Sequence, residues 1–139
     1  MAQFGTILKH SRTDIQLTGK QQGIGPKPAN VLFIYNGEVV CEFGSQSFDG
    51  PEPPTTVQDQ LIIVLPDADL GLGQIPHLPV PIIFPTDWIS LGGLTGHVAV
   101  NNPTLSTQGA RGLILTADIS VQAAILHNVQ YQVSVLAVN

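Results

Sequence analysis

Glycine and proline decide most of what this chain can become. Fourteen Gly and 11 Pro are spread through 139 residues, so few windows of about a dozen residues, the length a helix needs, escape a breaker. The C-terminal window that does escape alternates apolar and polar residues with period two, the pattern of a half-buried strand. There Val129, Tyr131, Val133, Val135 and Ala137 share one face and Gln130, Gln132 and Ser134 the other. Leu113, Leu115, Ala117, Ile119 and Val121 alternate in the same way with Thr116, Asp118 and Ser120. Helix is confined to at most one turn between Ser120 and Asn128.

The strongest local pattern is Asn36-Gly37 between two β-favouring runs, Val31 to Tyr35 and Glu38 to Phe43. It predicts a hairpin closed by a type I′ turn, because both central residues of that turn need positive φ. Its register would set Ile34 opposite Val39 and Leu32 opposite Cys41 on one face, with Phe33 opposite Val40 and Tyr35 opposite Glu38 on the other. Both faces would then carry apolar pairs, which implies cover on both sides. Weaker strand candidates are residues 4–8, 15–18, 57–65, 81–84, 88–91 and 97–100, nearly all separated by turn formers. The sum is an all-β chain: a single domain over residues 1–139, an antiparallel β-sandwich or jelly roll of about eight short strands.

Charge is scarce where a solvated surface would need it. Only 11% of residues are charged, against roughly 25% in an ordinary globular protein. Twelve of the 15 charges lie in residues 1–69, leaving Asp87, Arg111 and Asp118 for the rest. Lys9, Arg12, Lys20 and Lys27 precede Pro28, and the net charge is −5. A nucleic-acid binder needs a dense cationic footprint, so that class is excluded on charge. No apolar run is long enough for a membrane-spanning helix, and the N-terminus lacks the basic and apolar regions of a signal peptide. With Cys41 as the single cysteine, no internal disulfide forms, which fits a cytoplasmic protein or one assembled there into a particle.

Residues that carry chemistry are present but not patterned for it. Cys41 alternates with Val39 and Phe43, the setting of a buried thiol without a base. His10, His77, His97 and His127 stand at no metal-ligand spacing. Asp67, Asp69 and Gly71 resemble a fragment of a calcium loop but lack its closing Glu, and read as turn formers. Gly71 and Gly73, and Gly92, Gly93 and Gly96, open no helix and precede no Lys-Ser/Thr, so they are turns and not phosphate loops. No G-x-S-x-G elbow occurs. The expectation is a non-enzymatic protein with no cofactor, no catalytic residues and no metal site.

What needs explaining is apolar surface. Prolines 66, 76, 79, 81 and 85 interleave with Leu70, Leu72, Ile75, Leu78, Val80 and Ile82. Proline favours an extended path there while the side chains between demand burial. Residues 66–85 are expected to be either an arm lying on a neighbouring subunit or an inter-sheet connection. With Phe33 and Val40 from the predicted hairpin, Leu70, Leu72, Ile75, Leu78, Val80 and Ile82 form the expected interface of a subunit that works by homo-oligomeric or particle assembly, in the manner of a virion accessory, cement-type or tail component. Its partners would be copies of itself or other assembly subunits. The alternative is a lectin-like module in which Trp88 stacks on a glycan while Asp87, Asn101 and Asn102, or the loop 44–56, take the hydroxyls.

Overall fold

The computed structural model describes residues 2–17, 30–44, 56–66, 78–90, 96–108 and 112–137. Eight strands appear in them: β1 (Ala2–Phe4), β2 (Thr6–Leu17), β3 (Asn30–Gly44), β4 (Val57–Val64), β5 (Ile82–Ser90), β6 (His97–Gln108), β7 (Gly112–Gln122) and β8 (Ala124–Ala137). They form two four-stranded sheets, β1-β4-β7-β6 and β2-β3-β8-β5. The chain is an all-β sandwich, and all ladders are antiparallel except the short β1–β4 pair.

The two sheets are built from the same four bent segments. β1–β2, β3–β4, β5–β6 and β7–β8 each place one strand in either sheet, and the segments stack in the same order in both. Two of the bends take a single residue. At the first, Gly5 separates β1 from β2, and a Cβ there would lie 2.2 Å from Val39 Cγ1, so close packing against β3 demands glycine. At the second, Ala123 turns β7 into β8 with φ 51°, a left-handed conformation that L-residues rarely adopt.

The core lies between the sheets and follows the alternation read from the sequence. Leu113, Leu115, Ala117, Ile119 and Val121 of β7 are buried, as are Val129, Tyr131, Val133, Val135 and Ala137 of β8. β4 adds Leu61 and Ile63, with Leu65 just beyond it, and β3 adds Phe33, Tyr35, Val39, Cys41 and Phe43.

Three expectations are corrected. Asn36-Gly37 closes no hairpin: β3 runs unbroken from Asn30 to Gly44 and pairs on one side with β2 and on the other with β8. With the strand continuous, Phe33, Tyr35, Val39, Cys41 and Phe43 share the core face, and the outer face carries Asn36, Glu38, Val40 and Glu42 beyond Leu32 and Ile34. The supposed second apolar face was a consequence of the wrong register. Phe33, expected at an interface, is 4% exposed within the chain's own core. The turn of helix between Ser120 and Asn128 is absent, because β7 continues to Gln122 and β8 starts at Ala124.

Proline also behaves differently from the expectation. Ile82 to Pro85 belong to β5, with Pro85 opposite Val129 of β8. This is admissible because β5 is an edge strand, where a missing N–H leaves no ladder bond broken on the open side. β4 and β5 lie in different sheets, so the Pro-rich stretch between them leads from one sheet to the other. Residues 67–77 of it, with Leu70, Leu72, Ile75, His77, Asp67, Asp69, Gly71 and Gly73, lie outside the described residues. So do Gly92, Gly93 and residues 45–55 of the second loop.

Candidate functional site

Among the described residues the sheet β2-β3-β8-β5 ends in two edges of opposite character, β2 and β5. β2 carries Lys9, Arg12 and Asp14, and Arg12 holds Asp14 through a two-pronged ion pair, Nε to Oδ1 at 2.7 Å and the terminal nitrogen to Oδ2 at 3.0 Å. The Arg12 guanidinium also lies 4.5 Å above the Phe33 ring, closing the side of the sandwich with charge. Charged side chains on an edge oppose pairing with another chain.

β5 has no such guard. Along residues 78–90 the only charge is Asp87. In the same stretch Leu78 is 43% exposed, Val80 77%, Ile82 56%, Phe84 41%, Trp88 41% and Ile89 48%. Six of the eleven large apolar side chains exposed among the described residues thus fall within 13 consecutive positions. Pro85 and register shifts on either side of Asp87 bend the strand, devices that limit open-ended ladder growth while leaving the side chains on display. Of the residues expected at an interface, Leu78, Val80 and Ile82 are here. Val40 is 39% exposed, on the outer face of β3.

Shallow troughs of mixed polar and apolar lining cross the outer faces of both sheets. On β2-β3-β8-β5 a trough of ≈ 410 Å³ runs over the backbone of His10, Gly37 and Tyr131. Lys9, Glu38, Gln130 and Phe84 form one wall, in register across all four strands, and Ser11, Asn36 and Gln132 form the other. Lys9 Nζ lies 3.9 Å from Glu38 Oε2, and Asn128 Nδ2 donates to Glu38 Oε1 at 2.8 Å. On the other sheet a trough of ≈ 540 Å³ is lined by Gln58, Asp59, Gln60, Asn101, Asn102, Asp118, Ile119 and Ser120. Asn102, at φ 53°, donates from Nδ2 to Asp118 Oδ2 at 2.9 Å.

The expected sugar constellation is not assembled. Asn101 and Asn102 line the trough on β1-β4-β7-β6, whereas Asp87 and Trp88 stand on β5 of the opposite sheet. Asp87 faces a third groove with Gln3, Thr6, Glu42, His127 and Asn128. The period-two pattern could not show this, because it assigns a residue to a face but not to a sheet.

Beneath the first trough the core contains one polar pair. The Tyr131 hydroxyl and His10 Nδ1 share a hydrogen bond of 2.6 Å, and the His10 ring centroid lies 5.9 Å from that of Tyr35 and 6.2 Å from that of Tyr131. Burial pushes the Tyr131 phenol up to about 12 and the Cys41 thiol up to about 11, which keeps both neutral and disfavours thiolate chemistry at Cys41. Among the described residues no three His, Cys, Asp or Glu side chains converge on a point that could hold a metal ion. No helix of the described residues is long and apolar enough to cross a membrane. No family model, curated protein or solved structure matches the chain.

Proposed function

We propose that the protein is a non-enzymatic structural subunit that works by assembling with copies of itself, as an accessory, cement-type or tail component of a virion does. The observation that carries this reading is the unguarded apolar edge from Leu78 to Ile89. At about 200 Å² per fully exposed side chain, its six residues offer on the order of 600 Å² of surface. That approaches the ~800 Å² per partner of a standard stable interface, with the half-buried Pro79 and Pro85 adding to it. A second copy is the favoured occupant because the edge holds a single charge and no counter-charge for a charged partner. The closed arrangement is a two-fold pairing of β5 with β5, since the other edge of the same sheet is occupied by Lys9, Arg12 and Asp14. Light scattering at micromolar concentration tests it. A dimer or larger closed species is expected, which the double variant Val80→Glu, Ile82→Lys converts to a monomer with unchanged circular dichroism. A wild-type chain that stays monomeric refutes the reading.

A further inference from the structure

We infer that the trough across the outer face of β2-β3-β8-β5 is a binding site for a short neutral oligosaccharide. Its place is set by three rungs that cross the sheet. The middle rung, His10, Gly37 and Tyr131, turns its side-chain positions toward the core and leaves bare backbone as a floor. The flanking rungs turn outward and form the walls. Rungs two residues apart along a strand are separated by about 7 Å, and four strands span about 14 Å. The volume of ≈ 410 Å³ falls in the range of small-ligand sites.

The chemistry of the walls selects the ligand class. Ser11, Asn36, Gln130 and Gln132 make no side-chain hydrogen bond to another described residue, so three carboxamides and a hydroxyl stand side by side with donors and acceptors free. Each carboxamide offers both, the complement of a row of sugar hydroxyls. Phe84, 41% exposed, closes the trough at the β5 end with an apolar ring, a platform for the apolar face of a pyranose. The two charges present, Lys9 and Glu38, lie 3.9 Å apart, so the trough has no uncompensated charge to attract an ionic ligand. Nucleic acid lacks a cationic track here. An extended peptide is disfavoured because the trough crosses strands whose backbone is already paired on both sides at β3 and β8, and peptides on sheets bind at edges. The trough on the opposite sheet is the poorer candidate: Asp118 leaves it anionic, Asn102 is already engaged with that carboxylate, and no aromatic side chain lines it.

The polar walls of the trough, Ser11, Asn36, Gln130 and Gln132, lie on the face of the sheet and off the β5 edge, while Phe84 belongs to both surfaces, so self-assembly through β5 and sugar binding would compete for that one ring. The test is an amide-detected NMR titration of the full chain with short neutral gluco-, manno-, galacto-, xylo- and chito-oligosaccharides. At least one is expected to shift the backbone and side-chain amide signals of Asn36, Gln130 and Gln132. Asn36→Ala and Gln132→Ala should each weaken it about tenfold, while Gln60→Ala on the opposite sheet should leave the affinity unchanged. If no sugar in the panel shifts these signals at millimolar concentration, if the shifts map elsewhere, or if the trough variants bind like wild type, the inference is overturned.

Discussion

Gly37→Ala is the sharpest test of the continuous strand that replaces the expected hairpin. In a type I′ turn Gly37 would be required by its backbone angles. In β3 it is required by space, because a Cβ there would lie 2.2 Å from the Tyr131 hydroxyl oxygen, 2.3 Å from Tyr131 Cζ and 2.6 Å from the Lys9 carbonyl oxygen. None of these atoms can move away at low cost. The Tyr131 side chain is 1% exposed, its hydroxyl is held by His10, and the Lys9 carbonyl is part of the β2 ladder. Overpacking of this kind costs about 1–3 kcal/mol, and displacing the hydroxyl adds about 0.5–1.5 kcal/mol for the hydrogen bond to His10. A loss of about 3 kcal/mol is therefore expected. With a urea m-value of about 1–3 kcal/mol/M, the unfolding midpoint should fall by about 1–3 M. Shortening the opposing side chain with Tyr131→Leu should reduce the cost of Gly37→Ala by about 1–2 kcal/mol in a double-mutant cycle. Asn36→Ala supplies the contrast: Asn36 is exposed on the outer face, so its loss should stay within about 0.5 kcal/mol, whereas a turn would suffer from it. A Gly37→Ala variant within about 0.5 kcal/mol of wild type, or one whose cost ignores Tyr131→Leu, would refute the argument.

Three further outcomes follow from the same packing. Gly5→Ala, whose methyl would meet Val39 Cγ1 at 2.2 Å, should cost about 1–3 kcal/mol in urea unfolding and should be partly rescued by Val39→Ala. The folded chain keeps the Cys41 and Tyr131 protons that the unfolded chain releases near their ordinary values of 9.0 and 10.0, so the unfolded state binds fewer protons and stability falls as pH rises. Melting temperatures should hold up to about pH 8, decline above pH 9.0 toward about 11 for Cys41 and above 10.0 toward about 12 for Tyr131, and decline less steeply in Cys41→Ala. Removing the charges of the β2 edge with Lys9→Val, Arg12→Val and Asp14→Val should permit β2 to meet β5 of another copy head to tail, and electron microscopy should then find open-ended polymers where wild type gives closed species.

The fold was legible where one physical cause controlled the pattern. In β7 and β8 period-two alternation arises because one face of each strand is core, and the residues it named are those that are buried. The breakers likewise excluded helix. The misreading at Asn36-Gly37 has an equally definite cause: a glycine that supplies positive φ and one that makes room for a facing side chain are the same letter, and only the position of Tyr131, 94 residues further along, tells them apart. The candidate sites were legible in kind but not in place. Exposed apolar residues at 78, 80 and 82 follow from proline interleaved with aliphatics, yet the guard on β2 that makes β5 the distinctive edge depends on strand order. The trough walls bring together residues from positions 9–11, 36–38, 84 and 130–132, and no spacing within the sequence encodes such a register.

Strand order also gives the uneven charge distribution a structural meaning. β2 and β5 are the two edges of one sheet, and β2 comes from the part of the sequence that holds 12 of the 15 charges while β5 comes from the part that holds three. Within the sheet the consequence is directional: one edge repels a further strand and the other offers apolar side chains. A uniformly charge-poor sandwich would expose two equivalent edges and could add copies at both without limit. In the proposed assembly, self-pairing through β5 would use up the one unguarded edge of this sheet in each copy and so stop growth along that sheet. On that proposal the scarcity of charge along β5 would serve association, and its placement at Lys9, Arg12 and Asp14 would set the edge of this sheet at which association ends.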